Sequence, residues 1–214
     1  MKILITGTSR GIGLACAKKY IEMGHEVIGF DINEAGFSAP SYTHMTVDIT
    51  RELPDLDGVE VLVNNAGIQE GPGVIDTNLT ATIAVTEKYA FHEGIHSVLF
   101  MASSSASNGA EFPEYAASKG GVVTYMKNTA LRISKYGATS NSISAGGVYT
   151  PLNAHIMDDP NLMEQCLDET LLHRWASAEE IADLSYFLTN VNKSMTGQDL
   201  LIDNGEQLKS NFIW

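Results

Sequence analysis

The chain has 214 residues, 44% of them hydrophobic, and a formal net charge of -13 from 26 acidic and 13 basic residues. A chain of this size buries roughly 70% of the surface its unfolded form exposes, so residues 1–214 are expected to form one domain without disulfide or metal staples. The acidity argues against nucleic acid and anionic membranes as partners; two distant cysteines (Cys16, Cys166), no run of 18 apolar residues and no signal segment in "MKILITG" point to a cytoplasmic protein with reduced thiols.

"KILIT" (Lys2 to Thr6) is a short apolar run rich in β-branched residues. A glycine-rich turn follows, then "LACAKKYIEMG", in which Leu14, Ala17, Tyr20 and Ile21 recur at helical spacing before Gly24. "EVIGF" (Glu26 to Phe30), "VEVLVNNAG" (Val59 to Gly67) and "SVLFMAS" (Ser97 to Ser103) read as further buried strands. Helical patterns cover roughly Val74 to Glu93, Pro113 to Tyr136, Leu152 to Leu172 and Ala178 to Leu188. Short apolar strands alternating with helices predict an α/β fold, a parallel sheet covered on both faces. Between Asp48 and Val59, "ITRELPDLDG" offers too little for a crossover helix, so a turn or a broken single turn is expected there.

"TGTSRGIG" (Thr6 to Gly13) leaves the first strand and opens the first helix, the context that makes a glycine pattern informative. Gly7 permits the tight turn, Gly11 lets backbone approach a pyrophosphate, and Gly13 lets the helix pack close to the strand. Further along, Tyr115 and Lys119 in "YAASK" stand one turn apart at the opening of a helix, behind the serines of "MASSSASNG". An unperturbed tyrosine has a pKa of about 10, and an ammonium group beside it favours the phenolate. "HEGIH" (His92 to His96) satisfies H-E-x-x-H, but Gly94 and the strand that follows place it at a helix end, so no metal is expected.

With "NNAG" (Asn64 to Gly67), "NSISAGGVYTPL" (Asn141 to Leu152), "WASAEEIADLSYFLT" (Trp175 to Thr189) and "TGQDLLIDNG" (Thr196 to Gly205), the G-x-x-x-G-x-G turn and "YAASK" stand in one order over essentially the whole chain. In this the chain resembles the short-chain dehydrogenase/reductase family. The resemblance implies a Rossmann-type, doubly wound parallel sheet of about seven strands, with a shortened connection between the third and fourth. It implies an oxidoreductase moving a hydride between a nicotinamide cofactor and a ketone or secondary alcohol, with Tyr115 as acid/base. Lys119 then tunes that tyrosine and holds the nicotinamide ribose. Ser103, which the count from the strand pattern favours over Ser104, bonds the substrate oxygen, a turn-forming role being the alternative for these serines, and Asn78 supports a water near the lysine or is simply a polar helix residue.

Cofactor contacts are expected from Gly7, Thr8, Ser9, Arg10, Gly11, Ile12, Gly13, Asp31, Asp48, Ile49, Asn64, Ala66, Gly67, Val148 and Thr150, besides Tyr115 and Lys119. Asp31, 18 residues after Gly13, would accept from adenosine ribose hydroxyls and repel a 2′-phosphate, favouring NAD(H) over NADP(H), with Arg10 as counterweight. A segment at about 151–176, with Leu152, Ile156, Met157, Leu162, Met163 and Leu167, reads as an adaptable lid or as core packing. As a lid, and with some similarity to hydroxysteroid-type members, it suggests a hydrophobic ketone or alcohol. The resemblance also implies a homodimer or homotetramer, which "NFIW" at the C-terminus would suit. An NAD(H)-binding sensor without turnover is the rival reading, and such a sensor needs no acid.

Overall fold

The computed structural model describes residues 1–110 and 112–209; "NFIW" lies outside them. Strand β1 (Lys2–Thr6), helix α1 (Gly11–Glu22), and strands β2 (Glu26–Asp31), β3 (Tyr42–Thr46) and β4 (Val61–Asn64) come first. Helix α2 (Ala81–Tyr89) grows out of a wide π-turn at Asp76–Thr80, and strand β5 (Ser97–Met101) follows. Helices α3 (Ser105–Asn108) and α4 (Pro113–Ile133) lead to strands β6 (Thr139–Ala145) and β7 (Val148–Tyr149). Helices α5 (Ala154–Met157) and α6 (Pro160–Asp168), strand β8 (Ala176–Ser177), helix α7 (Ala178–Tyr186) and strand β9 (Asp199–Ile202) complete the chain.

Among the described residues seven strands form one parallel sheet in the order β3-β2-β1-β4-β5-β6-β9. This is the Rossmann-type α/β fold. Helices cover both faces, which is why "ILI" and "VLV" at the centre are apolar throughout rather than alternating. One face packs α2 and α4 through Val85, Tyr89, Met126 and Ile133. The other packs α1, α7 and the π-turn that continues α7 at Phe187–Val191 through Cys16, Tyr20, Ile181 and Leu188. Strand order reverses between β1 and β4, and in such sheets the crevice beyond the strands' C-terminal ends at that reversal is where ligands bind.

The connection between β3 and β4 holds a turn and extended chain but no helix. Ile49, Leu53 and Val59 fill the place a crossover helix would cover. Its backbone carbonyls are met by side chains of α2, since Lys88 Nζ donates to Leu53 O (2.7 Å) and Tyr89 OH to Pro54 O (2.5 Å).

Three expected spans come out shorter or broken. Strand β4 ends at Asn64 because the amides of Asn65 and Ala66 turn away to Thr6 Oγ1, both at 3.0 Å. The expected helix from Val74 begins as the π-turn and reaches regular α geometry only at Ala81. The expected helix from Leu152 to Leu172 splits at Pro160, whose ring disfavours helix in the residue before it. Asp159 caps the new start, accepting from the amides of Asn161 (3.0 Å) and Leu162 (3.2 Å).

Candidate functional site

The turn after β1 is held from below and from the side. Gly7 takes φ +77°, open to glycine at little cost, and its amide donates to Phe30 O at 2.7 Å. A Cβ on Gly13 would run into the Gly7 carbonyl, so α1 sits as close to the strand end as backbone allows. Asn65 clamps the same turn by donating to Thr6 O (2.9 Å) and Gly7 O (3.1 Å).

Asp31 stands at the end of β2, beside that turn. Its Oδ2 accepts from the Ser9 amide (2.9 Å), and its Oδ1 from the Asn33 amide and side chain (both 2.9 Å). Burial works to raise this carboxyl, but the bonds from Ser9 and Asn33 outweigh it and hold the group below the usual carboxylate range. Asp48 is held low by the hydroxyl and amide of Thr50 (2.7 and 2.9 Å).

Pro113 starts α4 at its first position, and Tyr115 and Lys119 follow on one face of it. Lys119 is buried, with Nζ 5.5 Å from the Tyr115 ring centroid and donating to Met101 O at 2.8 Å. Burial pushes its ammonium down to about 8. α4 lies tight against the π-turn, since a Cβ on Gly121 would come within 2.7 Å of Leu79. That packing delivers Asn78, whose Oδ1 accepts from the Ile68 amide (2.8 Å) while Nδ2 donates to Ile68 O (2.8 Å) and Ser118 Oγ (3.1 Å). Ser118 Oγ in turn donates to Tyr115 O at 2.7 Å.

One cleft of about 710 Å³ brings most of these groups together. Gly7, Arg10, Gly11, Ile12, Asp31, Asp48 and Ile49 line it, as do Ala66, Gly67, Ser103, Tyr115, Lys119, Val148 and Thr150. Of the three adjacent serines only Ser103 reaches the cleft wall; its Oγ accepts from the Ser105 hydroxyl (3.0 Å) and amide (3.2 Å).

Thr8, Ser9, Gly13, Asn64 and Asn78 lie outside the lining. Thr8 is buried and accepts from Tyr42 OH (2.9 Å), Ser9 spends its amide on Asp31, and Gly13 is covered by Gly7. Asn64 points the other way, its Nδ2 donating to Thr86 Oγ1 on α2 at 2.9 Å. Asn65 lines the cleft in its place, as the alternation of side chains along a strand would have indicated. Leu152 and Ile156 of the expected lid line the cleft, whereas Met157, Leu162, Met163 and Leu167 do not, and no residue of α5 or α6 is buried as core. Cys166, Glu169, Trp175 and Glu206 line it too; Trp175 comes in because Gly147 leaves room for its indole. His92 and His96 are turned to local partners, Tyr89 O and Glu60.

The profile of the enoyl-(acyl carrier protein) reductase family matches residues 44–207, and the chain belongs to the short-chain dehydrogenase/reductase family of oxidoreductases. A glucose 1-dehydrogenase of Gluconobacter oxydans (strain 621H) is 27% identical over 99% of this chain and 93% of its own. A gluconate 5-dehydrogenase from Burkholderia cenocepacia J2315, in complex with NADP and tartrate, superposes with a TM-score of 0.88 at 26% identity, covering 98% of this chain and 96% of that one. A 4-hydroxyisoleucine dehydrogenase mutant complexed with NADH and succinate shares the fold, with a TM-score of 0.86 at 24% identity over 99% and 100% of the two chains. Among the described residues no helix is long and apolar enough to cross a membrane.

Proposed function

We propose that the protein is an NAD(H)-dependent dehydrogenase or reductase acting on a secondary alcohol or ketone. The observation that carries this is the convergence of Ser103, Tyr115 and Lys119 on the wall that also holds the phosphate turn. A dinucleotide fits the residues present, since the close approach of Gly13 to Gly7 leaves helix α1 presenting its N-terminus to the cleft, and Gly7, Arg10, Gly11 and Ile12 stand where a pyrophosphate would be held. Asp31 offers its remaining acceptor capacity to ribose hydroxyls and its negative charge against a 2′-phosphate. Both NADH and NADP occur among the structural neighbours, so the choice rests on Asp31 against the exposed Arg10.

Bound cofactor would supply or accept the hydride. Tyr115 would give its phenolic proton to the carbonyl oxygen during reduction, or take the hydroxyl proton during oxidation. Lys119, held by Met101 O, would stabilise the phenolate and bond the nicotinamide ribose. Ser103 Oγ, already accepting from Ser105, has its own proton to donate to the substrate oxygen. Asn78 acts at one remove, tying the Gly67–Ile68 backbone to Ser118 and so to the tyrosine's own turn of helix. The segment from Pro151 to Trp175 would close over substrate. A cytoplasmic homodimer or homotetramer belongs to the same reading, supported by Leu131 on α4 and Leu201 on β9 exposed at 77% and 45%.

Tyr115→Phe tests the mechanism. Turnover is expected to fall about 10²–10⁴-fold while NADH affinity, followed by fluorescence, is retained. Unchanged turnover would remove Tyr115 from the chemistry, and equal or better use of NADPH by the unaltered protein would remove Asp31 as the selector.

A further inference from the structure

The cleft extends beyond Tyr115 to an end walled by the Pro151–Trp175 segment and by the loop after β9. Two carboxylates, Glu169 and Glu206, stand in this wall, and the neutral Asn153 and the aromatic Trp175 line the same cleft. The two halves of the wall are joined: the amides of Leu171 and Leu172 donate to Asn204 O at 3.1 and 3.2 Å, and a Cβ on Gly205 would press on Leu171 at 2.8 Å. Glu206 packs against the loop after β6, where a Cβ on Gly146 would come 2.8 Å from its Oε2. Cys166 lines the same cleft as both carboxylates; burial pushes its thiol up, and the charges of Glu206 and Glu169 push it further. The cations among the described residues lining the cleft are Arg10, on the phosphate turn, and Lys119, committed to Met101 O.

Resting on the hydride-transfer reading above, we propose that this wall selects an uncharged, hydroxyl-rich alcohol or its carbonyl counterpart and turns away substrates that carry a carboxylate. Hydroxyl groups donate to carboxylates in charge-assisted bonds, and Trp175 offers an apolar face to the carbon skeleton of such a molecule. A carboxylate at this end meets like charge, and of the two lining cations among the described residues Arg10 stands on the turn after β1 and Lys119 is committed to Met101 O. The apolar substrate that the lid sequence suggests fits less well, because its more distal methionines and leucines do not reach the cleft.

The test offers six-carbon aldoses and alditols, and the aldonic acids of matching configuration, with NAD⁺. The neutral panel is expected to exceed the acids at least about tenfold in kcat/KM. Calorimetric binding of an alditol and its aldonate to the NADH-loaded protein should follow the same order. Glu169→Gln, alone and with Glu206→Gln, is expected to narrow the preference by about tenfold while NADH binding is retained. Because Glu169 is exposed, its single variant keeps the test meaningful if the double variant folds poorly. Acids turned over as well as or better than neutral polyols, or a preference the glutamines leave unchanged, would overturn the proposal while leaving hydride transfer intact. Turnover of apolar ketones with none of either panel would do the same. Loss of all turnover in the unaltered protein, apolar ketones included, would instead tell against hydride transfer itself.

Discussion

At the end of the cleft proposed for the nucleotide, the turn from Gly7 to Gly13 is wedged between β2, β4 and its own helix, with hydrogen bonds from Asn65 and to Phe30 and Asp31. At the end proposed for substrate, α5 and α6 bury no residue and Leu152, Leu162, Leu171 and Leu172 are exposed, the segment being moored at its two ends by Asn153 on Val148 O, by the bonds to Asn204, by buried Thr170 and Trp175, and by Arg174 on Glu180. A binding surface for an invariant ligand portion can be rigid, whereas a wall that must admit and release substrate is drawn from the less stable parts of a fold. The contrast also separates the charges. Asp31 is fixed by three hydrogen bonds, while Glu169 sits exposed on the more loosely held segment.

Three substitutions press on this contrast, in falling order of effect. Gly13→Ala drives a methyl group into the Gly7 carbonyl, which is backbone, and to 2.5 Å from Asn65 Nδ2, which clamps the same turn. It should cost about 1–3 kcal/mol in urea denaturation and abolish NADH binding; a Gly13→Ala protein that binds NADH normally would show that the turn is not wedged.

Lys119→Met sits between the two ends. In the folded protein the ammonium titrates near 8, below its ordinary 10.5, so above pH 8 the unfolded chain holds the extra proton. The stability of the natural protein should therefore rise relative to the Lys119→Met variant as pH climbs from about 8 to 10.5, and be independent of pH in this comparison below that window. Parallel urea midpoints across that range and one pH unit below it measure this, and a flat difference would mean that the lysine is solvated. Leu162→Ser, at a side chain 37% exposed on α6, should change stability by less than about 0.5 kcal/mol and leave NADH affinity intact, any effect falling on KM for substrate. A larger loss of stability would mean that α6 is anchored as firmly as α1.

Legibility in the sequence followed the same division. Gly7, Gly11, Asp31, Tyr115 and Lys119 could be placed in advance because each stands at a strand end or helix start, where local spacing sets direction. Among three adjacent serines the strand pattern favours Ser103 over Ser104, and it is Ser103 that the turn after β5 brings to the cleft. Asn64 and Asn65 divide by the alternation of neighbouring side chains, Asn64 toward α2 and Asn65 toward the turn after β1, a signal the sequence carries. Trp175, Cys166, Glu169 and Glu206 carry no local signal. They meet through the two-residue pairing of β7 with β8 and the mooring of Leu171 on Asn204.

By itself, then, the sequence determined the alternation of strands and helices, the glycine turn after β1 and the tyrosine–lysine pair, because hydrophobic period, glycine placement and helical spacing are short-range properties. Only the tertiary structure decided that the β3–β4 connection is plugged by Ile49, Leu53 and Val59, that Trp175 reaches the cleft, and that two glutamates 37 positions apart share one wall. Those outcomes depend on packing between segments distant in the chain, which no local pattern encodes.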